Sequence, residues 1–320
     1  MDAFGIISNQ KAIHNIQPKQ NIQLKPSKEN ISNPFEKIPK PNTIETGSEF
    51  INELKQIGDL DHSPKAREEM SQKILEAIDA GHIPSFCHQN NFQTVTMENA
   101  EGIKVQFKTS ADYLSIGTDN DYVRIPITPM LALKLRQEYG WSMPTAKMTD
   151  AIYNQAGKKL TGIGLVKSQK DTEHMQSAAF INRHNQLYNQ QLTPQEREQI
   201  AKGNLLVAGH KKDIILSRYA INHPDVMDFR GLYLQPGKPI QTNPAHPPAY
   251  SDYAQGFRLI SPKITIINPD GSSQTMNYYQ ALKDPKIAHI LNGAEGAIDA
   301  RQAYHGKIYN KYYGKGGYFA

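Results

Sequence analysis

In the stretch Val95-Thr96-Met97-Glu98-Asn99-Ala100-Glu101-Gly102-Ile103-Lys104-Val105-Gln106-Phe107, apolar residues fall at every second position on both sides of Asn99-Ala100-Glu101-Gly102. A period of two puts Val95 and Met97, and Ile103, Val105 and Phe107, on common faces of two strands. The polar, glycine-containing centre reads as the turn of a hairpin. A second pair follows, Tyr113 to Ile116 and Tyr122 to Ile127, joined by Gly117-Thr118-Asp119-Asn120-Asp121.

Around these hairpins the period changes. Upstream, Phe50, Ile51 and Leu54 suggest a short helix from Ser48. A longer one opens with Ser63 as N-cap and Pro64 at the first turn, carries Ala66, Met70, Ile74 and Ile78 on one face, and ends at Gly81. Downstream, Thr128-Pro129 starts a helix that Gly140 terminates, and Thr145 starts another through about Ala156. A helix is expected from near Thr172 to about Gln191, and Thr193-Pro194-Gln195-Glu196 is a capping box for a successor. Leu205 to Ala208 and Lys212 to Leu216 read as buried strands flanking Gly209-His210. Asn222 to Tyr253, dense in Pro, Gly and His, reads as loop. Strands are expected at Gly256 to Ile260 and Lys263 to Ile267, closed by Asn268-Pro269-Asp270-Gly271, then two short helices from Asn277 to about Leu291. Helices and hairpins in separate blocks, without βαβ alternation, define the expectation: an α+β fold, a single domain of antiparallel hairpins with segregated helices.

The boundaries expected for that domain are residues 48–293. Residues 1–47 are rich in Asn, Gln, Lys and Pro, with Pro18, Pro26, Pro34, Pro39 and Pro41 interrupting any helix, and read as a flexible, disordered arm. Residues 294–320 read as a basic tail rich in Tyr and Gly. The formal charge of +5 belongs mostly there: Arg301, Lys307, Lys311 and Lys315 occur without an acid, so four of the five excess charges sit in the last twenty residues. The body is close to neutral, which argues against a duplex-binding face and leaves nucleic-acid binding to the tail alone. No apolar run approaches the roughly 18 residues of a membrane span. No Sec-type signal peptide is visible at the N-terminus, so export, if it occurs, would use another route.

Cys87 is the single cysteine, which excludes an intramolecular disulfide and thiolate-pair zinc sites. The 11 histidines form no His-Glu-x-x-His pattern, and neither an EF-hand loop, a phosphate-binding Gly-x-x-x-x-Gly-Lys-Ser/Thr, a Gly-x-Gly-x-x-Gly nor a Gly-x-Ser-x-Gly elbow is present. No cofactor and no metal is expected. The densest chemistry-bearing segment is Gly209-His210-Lys211-Lys212-Asp213, beside a strand. In the catalytic reading His210 is a general base oriented by Asp213 or Asp252, with Lys212 and Arg258 stabilising negative charge. A Cys87/His210/Asp213 arrangement is a weaker alternative, since Cys87 lacks a helix N-terminus to acidify it. His184 and Asn185, Tyr233, Lys238, Gln241, Tyr253 and Gln255 form the candidate ligand-binding set, because rings stack on sugar faces and amides bond hydroxyls. The solvated-turn and core-histidine readings of the same residues stay open.

Several motifs resemble an uncharacterised family of bacterial proteins, many of them exported. They are Asp112-Tyr113-Leu114-Ser115-Ile116-Gly117 with Asp119 and Asp121, Pro126-Ile127-Thr128-Pro129-Met130, and Met143-Pro144-Thr145 with Lys147-Met148 and Asp150-Ala151-Ile152-Tyr153. Further along come His184-Asn185, Gly209-His210-Lys211-Lys212-Asp213, Gly237-Lys238-Pro239-Ile240-Gln241, and Asp252-Tyr253 with Gly256 and Arg258-Leu259. The family pattern has a Tyr-Gly-Trp-His before the Gly-Lys-Pro-Ile-Gln stretch and a Tyr-Ser-His-Gly before the arginine. This chain has Gly231-Leu232-Tyr233 and Tyr253-Ala254-Gln255-Gly256 there, so both histidines are missing. The family's His-Gly-x-Arg is distantly similar to the Ser-His-Gly-Cys-x-Arg of L,D-transpeptidases, whose His and Cys are absent here, and that activity is not carried over. The resemblance implies a hydrolase-like protein acting on bacterial cell-wall or related glycan and peptide material, with peptidoglycan or glycan as ligand. The alternative is a non-catalytic binding or structural module, of the delivered-effector or virion-component kind.

Overall fold

A computed structural model describes residues 38–39, 41–57, 64–165, 177–235, 237–240 and 247–305. Local chemistry sets most element ends. Thr46 accepts from the Glu49 amide while the Glu49 carboxylate accepts from the Thr46 backbone, a reciprocal cap that starts α1 (Gly47–Gln56). The second helix, α2 (Pro64–Asp79), buries Ala66, Met70, Ile74, Leu75 and Ile78. Its proposed cap Ser63 lies outside the described residues.

The hairpin forms as β1 (Gln93–Glu98) and β2 (Lys104–Thr109), antiparallel, with Val95 opposite Phe107 and Met97 opposite Val105, all four buried. The Asn99 side chain accepts from the Ile103 amide and closes the turn. A short hairpin joins β3 (Ser115–Gly117) to β4 (Tyr122–Arg124). Thr128 then caps α3 (Pro129–Tyr139), which Gly140 ends at φ +72°, and Thr145 caps α4 (Ala146–Gln155). After β5 (Lys158–Lys159) come α5 (Ala178–Asn189), capped by Ser177, and α6 (Pro194–Ala201), opened by the Thr193–Glu196 capping box. The start expected for α5 near Thr172 lies outside the described residues. Next are β6 (Val207–Ala208), β7 (Lys212–Ile214), α7 (Arg218–Asn222), β8 (Phe229–Gln235) and β9 (Lys238–Ile240). The chain continues through β10 (Gln255–Gly256), β11 (Ile260–Ile267) and β12 (Ser273–Asn277). Then Asn277 and Asp284 cap α8 (Tyr278–Lys283) and α9 (Pro285–Asn292).

The first sheet is antiparallel throughout, in the order β1-β2-β11-β12. In the second, ordered β10-β7-β8-β9, β10 runs parallel to β7 and the other pairs are antiparallel. With helices segregated from these sheets, the protein has an α+β fold.

One expectation is corrected: the loop read from Asn222 to Tyr253 contains β8 and β9. Gly231 at φ +100° and Leu232 at φ +54° break the alternation of β8, and its pairing with β9 shifts register between Gly231 and Gln235. The bulge turns the Leu232 and Tyr233 amides onto the carbonyls of Lys211 and Gly209.

The buried hydrophobic cluster runs from Ile38 to Tyr304, with Ile298, Ala300, Ala303 and Tyr304 packed in it. Core residues therefore lie on both sides of the boundaries expected at 48 and 293. Most of the arm (residues 1–37) and of the tail (residues 306–320) lies outside the described residues. Among the described residues no helix is long and apolar enough to cross a membrane.

Candidate functional site

Between the second sheet, β4 and α5 lies a network of charged side chains with almost no exposure. Arg124, entering from β4, bonds Asp112 Oδ2 at 2.8 Å through Nε and lies 2.8 Å from it through Nη2. Its Nη1 reaches Asn185 Oδ1 at 2.8 Å and Asn189 Oδ1 at 2.9 Å on α5. The other oxygen of Asp112 stands 3.0 Å from His210 Nε2, and all three side chains are fully buried. Burial pushes the Asp112 carboxyl up, but Arg124 and His210 outweigh it and hold it well below the usual carboxylate range. His210 shifts the other way: burial lowers it to about 4 despite the facing carboxylate.

The three residues after His210 diverge. Lys211 Nζ donates to the Tyr253 carbonyl at 2.7 Å, and burial, then repulsion from Arg124, lowers its ammonium to about 7. Lys212 pairs with Asp252 and rides 4.9 Å from the Phe229 ring centroid. Asp213 accepts from the Tyr113 hydroxyl at 3.3 Å, and burial raises it to about 7 against the pull of Arg258. Arg258 donates to the carbonyls of Ser110 (3.2 Å) and Val207 (2.8 Å), with its guanidinium 4.0 Å from the Tyr113 ring centroid. Glycines make this density possible. A Cβ on Gly256 would sit 2.5 Å from Tyr113 Cδ1, and one on Gly209, at φ +99°, would sit 2.6 Å from the Leu160 carbonyl.

Aromatic edges enclose the imidazoles. His210 meets Tyr113 and Tyr188 edge-on, with centroids 4.9 and 5.0 Å away, and His184 meets Tyr188 and Tyr253 at 4.4 and 4.7 Å. The irregular segment Thr161 to Leu165 is latched onto these same residues. The Ile163 amide donates to the Tyr188 hydroxyl at 2.8 Å, and His184 Nε2 bonds the Ile163 carbonyl at 3.1 Å. The Tyr253 hydroxyl accepts from the Leu165 amide at 2.7 Å and donates to the Leu165 carbonyl at 3.1 Å.

The structure thus brings together His210, Lys212, Asp213, Asp252 and Arg258 with His184, Asn185, Tyr253 and Gln255. It assigns several of them other partners than expected. The carboxylate facing His210 is Asp112; Asp213, on β7 beyond the bend at residues 209–211, accepts from Tyr113 instead, and Asp252 is committed to Lys212. Lys212 and Arg258 are themselves committed, to Asp252 and to two backbone carbonyls. Asn185 serves Arg124 and the Tyr122 carbonyl, and Gln255 Oε1 accepts from the Asp252 amide at 2.7 Å. Tyr233 lies apart, stacked on Tyr153 at 3.5 Å with its hydroxyl on Asp150 at 3.3 Å. Lys238 is exposed on β9, and Gln241 lies outside the described residues.

Asp112, Tyr113, Arg124, Tyr188 and Lys211 are the members that sequence reasoning passed over as site residues. Asp112 and Lys211 stand inside quoted motifs, and for Asp112 a charge beside the apolar Tyr113-Leu114 was the available signal. Cys87 is fully buried, burial pushes its thiol far up, and it touches neither His210 nor Asp213 in any described bond, so it is no nucleophile here. Among the described residues no group of three or more His, Cys, Asp or Glu could hold a metal ion. A separate cavity of about 900 Å³ opens beside Cys87 and is lined by His88, Gln89, Asn90, Asn91, Asp119 and Asn120, among others.

No protein-family model, no curated protein and no solved structure matches this chain. Function is therefore argued from the buried network itself: an ionised carboxylate fixed by arginine, a neutral imidazole against it, and a lysine and an aspartate that titrate near neutrality.

Proposed function

We propose that the chain is a hydrolase-type enzyme acting on bacterial cell-wall or related glycan-peptide material, with His210 as the proton-transfer group. The observation that carries this reading is the asymmetry of its ring. Neutral at pH 7, and facing an ionised carboxylate through Nε2, the imidazole keeps its proton there. That leaves Nδ1, which has no hydrogen-bond partner, with a free lone pair. In the proposed step Nδ1 takes a proton from water as the water oxygen attacks an amide or ester carbonyl carbon. The carbonyl electron pair moves onto oxygen beside the Lys211 ammonium. When the carbon–leaving-group bond breaks, the imidazolium returns its proton to the leaving group, and His210 is neutral again. Substrate reaches the ring when the Thr161–Leu165 segment is released. The cell-wall substrate class rests on the resemblance of the motifs to exported bacterial proteins.

Release of soluble fragments from purified peptidoglycan tests the proposal. Activity is expected in the wild type, lost in a folded His210→Ala variant and retained in Cys87→Ala. Equal release by folded His210→Ala overturns it.

A second reading, a non-catalytic glycan-binding module, is favoured by two observations. His210, Arg124 and Arg258 are fully buried, as a purely architectural network would be, and the amide-rich cavity beside Cys87 suits hydroxyl groups. Sedimentation with peptidoglycan without fragment release, weakened by Asn120→Ala and indifferent to His210→Ala, is the outcome expected of it.

A further inference from the structure

We infer that a second cleft, remote from the histidine network, binds a small organic anion. It measures about 900 Å³ and is walled by the end of α3, α7 and the Pro224 that follows it, the start of β11 and α8, and the turn at Ala300–Gln302. None of its lining residues belongs to the buried network. Its charged lining is cationic: Arg136 and Arg301 enter it together with His305, and among the described residues no carboxylate lines it.

The two arginines are held differently. Arg136 is 7% exposed, with its guanidinium 4.8 Å from the centroid of the Tyr279 ring, and the Tyr279 hydroxyl is itself bonded to Ser142. A planar cation is thus set on an aromatic floor. Arg301 is exposed at the rim, on a turn fixed by a 3.3 Å bond from its amide to Asp299 Oδ1, while Asp299 Oδ2 pairs with Lys283 at 2.8 Å. His305, lowered to about 4 by burial and by Arg136, is neutral at pH 7 and adds a polar ring without a second repulsive charge.

Guanidinium groups match carboxylate and phosphate oxygens in pairs, and a desolvated one attracts an anion more strongly than one in bulk water. Ile221, Pro224 and Pro262 supply apolar walls beside that charge, so the ligand carries its anionic group on a small apolar body.

Calorimetric titration of the full chain with phenyl phosphate, benzoate and benzamide tests this. One equivalent of phenyl phosphate or benzoate is expected to bind, benzamide is not, and the tighter of the two anions identifies the headgroup. Arg301→Gln, exposed and so compatible with folding, is expected to weaken binding about tenfold, the usual effect of one charge-assisted contact. Arg136→Met is expected to abolish it. Benzamide binding as well as benzoate, no anion binding, or an unchanged affinity in Arg301→Gln would each overturn the inference.

Discussion

His210 Nε2 and Asp112 Oδ1 stand 3.0 Å apart with no exposure, although 98 positions separate the two residues in the chain. The pair joins the segment between β2 and β3 to the approach to β7, and Arg124 extends it to α5. Replacing Asp112 by Asn keeps the shape but leaves Arg124 buried without its counter-ion. Breaking a buried ion pair from one side costs about 3–5 kcal/mol. Urea denaturation of Asp112→Asn is expected to show a loss of that order, larger than that of His210→Gln. A loss under 1 kcal/mol would mean that Asn185 and Asn189 suffice to hold the guanidinium.

Acid is expected to weaken the fold through His210. Its folded value, about 4, lies below the unfolded value of 6.5, so in that interval the unfolded chain binds more protons. The contribution is complete above pH 6.5 and is lost as pH falls towards 4, on the order of 3 kcal/mol. Asp213, raised to about 7, works oppositely, contributing below its ordinary range and losing that contribution as pH rises to 7. Melting temperature against pH, in wild type and His210→Gln, separates them: the difference between the two curves should change between pH 6.5 and 4 and be flat above. A difference independent of pH contradicts the assignment.

The Leu165 end of the latch over the network rests on one phenol. Tyr253→Phe removes both of its bonds to Leu165, at a cost of about 1 kcal/mol for a partly compensated pair. Amide hydrogen exchange at Leu165 is expected to rise several-fold while exchange in β2 and β11 stays the same. If cell-wall hydrolysis occurs, the same variant should raise its rate wherever opening limits turnover.

Two glycines should respond differently to alanine. Gly256→Ala places a methyl 2.5 Å from the Tyr113 ring, itself clamped by Arg258, so the clash cannot relax cheaply, and a loss of about 2 kcal/mol or more is expected. Gly271→Ala meets open space at φ +84° and should cost about 1 kcal/mol of backbone strain alone. Chemical denaturation of both variants checks the ordering, and equal losses would show that Tyr113 moves freely.

What could be read along the chain was local. Thr128, Thr145 and Thr193 cap helices because each needs only the amide three residues on, and the β1–β2 turn needs only Asn99 and Gly102. The β8 and β9 strands were hidden, since the positive φ of Gly231 and Leu232 removes the alternation that marks a strand. Proximity in sequence also misled: Asp213 stands three residues after His210 in the motif, yet it bonds Tyr113, and the carboxylate facing His210 comes from the segment between β2 and β3. The convergence of His210, Asp252 and Arg258 has no local signature, because it depends on how β7 and β10 are brought side by side.

That parallel pairing also sets an order of events during synthesis. Lys212 and Asp213 leave the ribosome more than forty residues before Gln255 and Gly256, whose strand lies against them. Arg258, which ties Ser110 to Val207, comes later still. Until then β7 has an open edge, and the charges around His210 lack the side chains that shield them, an interval in which a nascent chain is prone to non-native pairing. Slow translation between residues 214 and 258 would lengthen that interval, so the yield of soluble protein should depend on codon choice in this segment more than anywhere upstream.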